Sequence, residues 1–233
     1  MLITSVCKAW QNVYQHKYTL MFRFHLIRSI SVFVLLAQLG CKSNPSTTSS
    51  NTAIQDIFPL KVGNSWTYLQ TYYDTGDTIS GTLSVTGEET YHGFHAYFYS
   101  LSGPVYNIDY YSGPNVYSVA ATDKIHNPHI SLHYPMNIGE TFLLDSASWD
   151  PPYTETLKLI QNSELISTPA GVFNCVHFQL FSGNVLQSTT DSTAIRDDYY
   201  APGIGLVRFR DYNMYNGKRY IYSTVELISY VVK

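Results

Sequence analysis

The chain has 233 residues, 45% of them hydrophobic, 15% aromatic and 13% charged, with 21 tyrosines and a formal net charge of −3. It is long enough for one sizeable core and short for two, and so aromatic and weakly charged a composition excludes a disordered body. Residues 1–40 carry Lys8, Lys17, Arg23 and Arg28 and no acid, so the rest holds 10 bases against 17 acids; an acidic body excludes a nucleic-acid binder, which must neutralise phosphates.

The first predicted element is an export signal. Met21–Cys41 opens with Arg23, His25 and Arg28, continues with the apolar run Ile30–Leu39 and ends in Gly40 and Cys41. A basic start, a short apolar run and a small residue at the break describe a secretory signal peptide over 21–40. A membrane span would need about 20 apolar residues. Residues 1–20 hold Lys8, Trp10, Gln11, Asn12, Gln15, His16 and Lys17, out of character ahead of such a signal. They read as a mis-called extension, with Met21 as the true start.

The close on Cys41 resembles the lipobox of bacterial lipoproteins: Leu39 and Gly40 fit, while Gln38 stands where those proteins favour Leu. The resemblance implies that the Cys41 thiol receives a diacylglycerol and becomes the first mature residue. Lys42, in place of the Asp that retains such proteins in the inner membrane, implies the outer membrane. Residues 41–56 then read as a flexible tether, Ser/Thr/Asn-rich through Thr52. With Cys7 removed and Cys41 acylated, Cys175 is left without a disulfide partner.

From Ile57 onward the period is two. Ile79, Leu83 and Val85 alternate with Thr78, Ser80, Thr82, Ser84 and Thr86; Val176, Phe178 and Leu180 alternate with Cys175, His177 and Gln179; Val207 and Phe209 alternate with Arg208 and Arg210. Ile221, Val225, Leu227 and Val231 make the apolar side of the last strand. Turn formers separate the runs: Asp74-Thr75-Gly76-Asp77, Ser112-Gly113-Pro114-Asn115, Ser182-Gly183-Asn184 and Asn216-Gly217. With no sustained 3.6 period, the body at 57–233 is predicted to be all-β and antiparallel.

The body also echoes itself. Phe58-Pro59-Leu60-Lys61-Val62-Gly63-Asn64-Ser65-Trp66 returns as Tyr134-Pro135-Met136-Asn137-Ile138-Gly139-Glu140-Thr141-Phe142, class for class. Gly93–Phe98 is echoed by Gly171–Val176, and Asp109-Tyr110-Tyr111 by Asp198-Tyr199-Tyr200. The expectation is two tandem β modules, 57–125 and 130–233, of four to six strands each. They would share one core as a sandwich or a partly closed barrel. Pro fixes φ and Gly permits a tight turn, so each proline–glycine element should aim Trp66 or Phe142 inward.

The stretches FPLKVGNSWTY, STPAGVFNC and DYYAPGIGLVRF resemble recurrent pieces of uncharacterised exported lipoproteins of the Bacteroidetes type. More distantly, the chain resembles lipoprotein carriers of the LolA/LolB type, curved sheets whose concave apolar face binds acyl chains. Those carriers cover that face with helices, and no helix is evident here. The resemblance brings no catalytic residues.

Candidate chemistry is sparse. His126, His129 and His133 could hold zinc with Asp123, but their spacing is not standard and solvated loop histidines are the plainer reading. Asp74-Thr75-Gly76 resembles an aspartic-protease triplet but lacks a second copy, and suits a turn. His92 and His95 flank Gly93 with no nucleophile in view. Cys175 and His177 share a strand face about 7 Å apart by strand rise, too far for an activated pair, so Cys175 reads as structural. Arg208, Arg210, Lys218 and Arg219 could face anionic headgroups or merely protect an edge strand. Tyr72-Tyr73, Tyr110-Tyr111 and Tyr199-Tyr200 each put one ring on either face of a strand, and an outward ladder would suit a glycan or protein partner.

The sequence therefore predicts no catalytic set, no metal and no cofactor, and a lipid attachment site at Cys41. The leading expectation is a non-enzymatic lipoprotein of the cell envelope, facing the periplasm or the surface. It would sit on the membrane through its N-terminal lipid and bind an envelope protein, glycan or lipid. The alternative is a carrier or sensor of a hydrophobic ligand held between the sheets; an envelope hydrolase is the weakest reading.

Overall fold

The computed structural model describes residues 50–120, 128–147, 153–184, 194–216 and 218–233. Met1–Ser46 lies outside the described residues, and with it the signal, Cys41 and the start of the tether. Helix α1 (Ser50–Ile57) precedes the strands β1 (Ser65–Tyr72), β2 (Thr78–Tyr91), β3 (Phe94–Leu101), β4 (Val105–Ser112), β5 (Asn115–Ala120) and β6 (His129–His133). There follow β7 (Thr141–Ala147), β8 (Tyr153–Thr168), β9 (Gly171–Asn184), β10 (Ala194–Ala201), β11 (Gly205–Tyr215) and β12 (Lys218–Val231).

All 12 strands form one antiparallel sheet in the order β6-β5-β4-β3-β2-β1-β12-β11-β10-β9-β8-β7. The body is thus a nearly closed barrel, neither a sandwich nor two sheets. Chain neighbours pair everywhere except between β6 and β7, and β1 joins β12 from Ser65↔Val231 to Tyr72↔Ser223. The seam lies between β6 and β7, where no ladder is found among the described residues. Side chains meet across it instead, His133 stacking on Phe142 with ring centroids 3.7 Å apart. The two sheet edges are therefore β6 and β7. The basic residues of β11 and β12 lie mid-sheet, which corrects their reading as edge protection.

The two proline–glycine elements share a hydrogen-bond pattern, though the Tyr134–Pro135 peptide is cis and the Phe58–Pro59 peptide is not. Gly63 N–H donates to the Val85 carbonyl at 2.8 Å, Val85 N–H to Asn64 at 2.9 Å and Asn64 N–H to Lys61 at 3.0 Å. Gly139, Leu159, Glu140 and Asn137 repeat that pattern at 2.7, 3.1 and 2.9 Å. Gly63 and Gly139 have φ of +91° and +85°, a region where a Cβ is strained. Sheet pairing assigns His129–His133 to β5, so the first run of strands reaches past the expected boundary at residue 125.

Helix α1 occupies the end of the segment read as tether, a difference with a tertiary cause. Ile54 and Ile57, one helical turn apart, are 0% and 1% exposed and sit in the barrel's main core with Val116, Leu132, Leu159 and Phe178. So short a helix gains its stability from that burial rather than from propensity. It is pinned where the Gly203 N–H donates to the Asp56 carbonyl at 2.6 Å. A second, smaller apolar cluster of Tyr91, Ala96, Ile108, Tyr110 and Val119 lies on the opposite, outer face of β2–β5.

Candidate functional site

The site is the barrel interior, and strand alternation determines who lines it. On β1 the inward residues are Trp66, Tyr68 and Gln70, all buried. They pair with inward Leu83, Gly81 and Ile79 of β2 on one side. On the other side Leu227 and Val225 face Tyr68 and Gln70. On β10 the inward set is Tyr200, Asp198 and Arg196, beside Phe209 and Asp211 of β11. On β4 it is Asp109 and Tyr111, beside Ser118 and Val116 of β5.

Near α1 the interior is apolar. A cavity of about 140 Å³ is lined by Phe58, Pro59, Leu60, Trp66, Tyr68, Leu83, Tyr99, Gly205 and Leu206. Two of its polar atoms are already committed to the wall: Trp66 Nε1–H donates to the Ile204 carbonyl at 2.5 Å and the Tyr68 hydroxyl to Leu206 at 2.8 Å. The Tyr111 hydroxyl donates to the Phe58 carbonyl and accepts the Leu60 N–H at 2.8 Å, clamping the chain that enters β1. A dry apolar cavity of about 150 Å³ takes one benzene-sized group.

Farther along the same interior the lining turns polar. Gln70 Nε2 donates to Ser223 Oγ at 3.2 Å, and Ser223 donates to Asp211 Oδ2 at 3.2 Å. Arg196 Nε donates to Asp211 Oδ1 at 2.8 Å, lies 3.9 Å from Asp198 Oδ1, and its guanidinium sits 4.3 Å over the Phe209 ring. Asp109 is 3% exposed and accepts a 2.6 Å hydrogen bond from Ser118. Burial pushes the Asp109 carboxyl up to about 7, against which the Ser118 bond works. Burial likewise pushes Asp198 up to about 6, opposed by the neighbouring Arg196 charge.

The outer face carries a different polar line. His177 Nδ1 is 2.8 Å from Glu164 Oε2 and its Nε2 is 3.5 Å from Asp197 Oδ1. Asp197 Oδ2 accepts from the Tyr212 hydroxyl at 2.6 Å and from Arg219 at 3.1 Å. Burial pushes the Asp197 carboxyl up, but the nearby His177 ring, the Tyr212 hydrogen bond and the Arg219 charge outweigh it and hold the group below its ordinary value.

The residues singled out from sequence are scattered. Cys175 is fully buried, with a thiol pushed up to about 12 by burial, the opposite of what a reactive thiolate requires. His177 beside it turns to Glu164, not to the thiol. His133 meets Asn115 Oδ1 at 2.6 Å as well as Phe142; His129 is exposed on the same strand, and His126 and Asp123 lie outside the described residues. Asp74-Thr75-Gly76 forms the β1–β2 turn, with Thr75 N–H bonded to Asp74 Oδ1 at 2.9 Å and Gly76 at φ +74°. His95 pairs with Glu88 at 3.1 Å on the surface. Arg208 is held by Glu226 and Ser167 and Arg219 by Asp197 and the Tyr212 face, so half of the expected basic patch is engaged within the protein. Two of the three tyrosine doublets split across the wall, Tyr111 and Tyr200 turning inward and Tyr110 and Tyr199 outward, while Tyr73 lies past the end of β1 in an exposed turn. The outward rings are 4% and 3% exposed, which leaves no free ladder at those positions.

Sequence reasoning passed over Asp109, Asp198, Arg196, Asp211 and Gln70. The signal was present in the Asp-Tyr-Tyr echo, because on a strand the Asp and the second Tyr share a face, and Tyr200 lies in the main core.

A DUF3108-like family model matches residues 156–227, from β8 into β12. Among solved structures, the chain is similar to one from Bacteroides fragilis described as an exported protein with a YmcC-like fold. The two are 18% identical, with a TM-score of 0.45 over 76% of this chain and 99% of the other. A Parabacteroides distasonis structure described as a lipoprotein is 17% identical, with a TM-score of 0.44 over 77% and 99%. A LolA superfamily protein from Nitrosomonas europaea is 10% identical, with a TM-score of 0.24 over 79% and 91%. No curated protein matches the chain. The chain is thus similar to a DUF3108-like stretch and to structures described as exported or lipoprotein in the two Bacteroidetes species, with a distant LolA superfamily match.

Proposed function

We propose that this chain is a non-enzymatic lipoprotein of the bacterial cell envelope, anchored in the outer membrane through acyl groups on Cys41, and that its barrel binds an apolar group of a ligand. The observation that carries the binding reading is the cavity between Trp66, Tyr99 and Leu206, whose Trp66 and Tyr68 donors are already bonded to the wall. A space of this kind offers a guest contact with aromatic faces and a lining that is mostly apolar. The paired proline–glycine braces support reading the body as two tandem modules that together enclose it.

The anchor reading rests on Gly40-Cys41 after an apolar run. Each buried acyl CH2 contributes about 0.8 kcal/mol, so two or more chains hold the protein firmly. Recognition through outward tyrosines is the weaker alternative, since Tyr110 and Tyr199 are buried.

Two experiments test the proposal. Cys41→Ala is expected to move the protein out of the membrane fraction, and its persistence there would remove the anchor. Native mass spectrometry of the full chain, gently extracted from a bacterial envelope, is expected to show a reproducible added mass that denaturation removes. A bare mass would count against the interior reading and return the surface to first place.

A further inference from the structure

Resting on that cavity reading, we infer that the interior beyond Tyr68 is an acceptor-rich subsite for a positively charged group, so that the ligand is an amphipathic organic cation, apolar at one end and an amine or guanidine at the other.

The argument starts on β1. Tyr68 lines the cavity, and Gln70 is the next inward residue, about 7 Å farther along the strand at the usual rise per residue. Gln70 is 7% exposed, and its Oε1 is buried with no hydrogen-bond partner. Its orientation follows from the network. Ser223 has one hydroxyl hydrogen, and where that goes to Asp211 its oxygen can only accept, which calls for the amide nitrogen of Gln70 on that side. The carbonyl oxygen is therefore left facing away as an unused acceptor. An acceptor buried in this way costs free energy until a donor arrives.

Carboxyls face the same interior. Asp211 and Asp198 approach from β11 and β10, and Asp109 from β4, each on the inward face of its strand. Arg196 is the cation among them; two of the acids and the Phe209 ring hold it in place. In the network of Gln70, Ser223, Asp211, Arg196 and Asp198, two carboxyls and an orphaned carbonyl against one committed guanidinium leave a surplus of acceptors. Such a surplus attracts a donor-rich cation and repels an anion. The raised Asp198 carboxyl fits the same picture, because a bound cation would favour its ionised form. Among the described residues, no group of three His, Cys, Asp or Glu is gathered as metal ligands are. An organic cation suits the place because the neighbouring cavity would hold its apolar part.

The test uses the full-length protein and four probes: benzene, 2-phenylethanol, 2-phenylethylamine and phenylacetate. Isothermal titration is expected to show the amine binding at least tenfold more tightly than the alcohol, with the carboxylate weakest. Asp211→Asn is expected to erase the amine's advantage and leave benzene binding unchanged. If that variant does not fold, the wild-type probe series decides alone. Equal affinities for the three polar probes, a preference for phenylacetate, or an amine advantage that survives Asp211→Asn in folded protein would each overturn the cationic subsite while the cavity reading stands. If neither benzene nor the alcohol binds, the cavity reading falls, and the subsite with it.

Discussion

Asp109 and Asp198 open the same tripeptide, point into the same interior and are both buried, yet their surroundings differ. Asp198 has Arg196 two residues before it on its own strand, whereas Asp109 has the Ser118 hydroxyl and buried phenols, Tyr99 and Tyr200 among them. The carboxyl with a cation beside it is pushed up to about 6, and the one with a hydroxyl to about 7. A shared motif therefore sets where a side chain points, while its neighbours on other strands decide its protonation. On the Asp109 side of the barrel burial is opposed only by a hydroxyl; on the Asp198 side a neighbouring cation offsets part of it.

The largest effect expected from breaking this comparison is that of Asp109→Asn. Between pH 4 and 7 the native Asp109 keeps a proton that the unfolded chain, with an ordinary value of 3.8, has lost. Native protein binds more protons in that window, so stability falls as pH rises through it. The asparagine variant removes the slope and should exceed wild type at pH 8 by up to about 4 kcal/mol, with no gain at pH 3. Urea unfolding at the two pH values measures this. Asp198 adds a smaller slope of the same sign between about 4 and 6, while Asp197, held low, acts oppositely and loses its contribution only as pH falls below 3.8. A variant that loses stability equally at both pH values would contradict the assignment.

Arg196→Met should convert the Asp198 side into a copy of the other. It strips Asp198 and Asp211 of their cation at a cost of about 2 kcal/mol, less than for a fully buried pair because Arg196 is partly exposed. It should also raise the Asp198 titration, read by NMR, toward that of Asp109; an unmoved Asp198 would show that burial alone sets it. Tyr111→Phe leaves the Phe58 carbonyl and the Leu60 N–H without their hydroxyl and should cost about 1–2 kcal/mol, with amide exchange accelerated at Leu60. Ser118→Ala should cost about 1 kcal/mol and push Asp109 higher still. It is the smallest change of the four, and the most direct check on what steadies that carboxyl.

Much of this architecture was legible in the chain. Period-two alternation located the strands because each has one face in the barrel, and Asp74-Thr75-Gly76 was read as the turn that it forms. Helix α1 was not legible, because eight residues beginning in a polar Ser/Thr run hold too few turns to establish a period; burial of Ile54 and Ile57 creates it. The interior acids escaped for a related reason. Alternation predicts which face a residue takes, but an aspartate is assigned to solvent by default, and only the ladders reveal that Asp109, Asp198 and Asp211 share an interior with Gln70 and Ser223. The choice between sandwich and barrel also needed long-range information, namely that β1 pairs with β12.

The seam between β6 and β7 has a mechanical consequence. A tube slit along its length resists widening far less than an intact one, because opening it lengthens no hoop of bonds. Around most of this wall a change of girth would have to break backbone hydrogen bonds between paired strands. At the seam, among the described residues, no backbone ladder has to break; side chains meet there, His133 stacked on Phe142 and Leu132 sharing the core with Leu144. Any breathing of the interior is therefore concentrated on that single line. A label at Ile130 or Leu143, one on each bank of the slit, would report it before any position elsewhere in the wall.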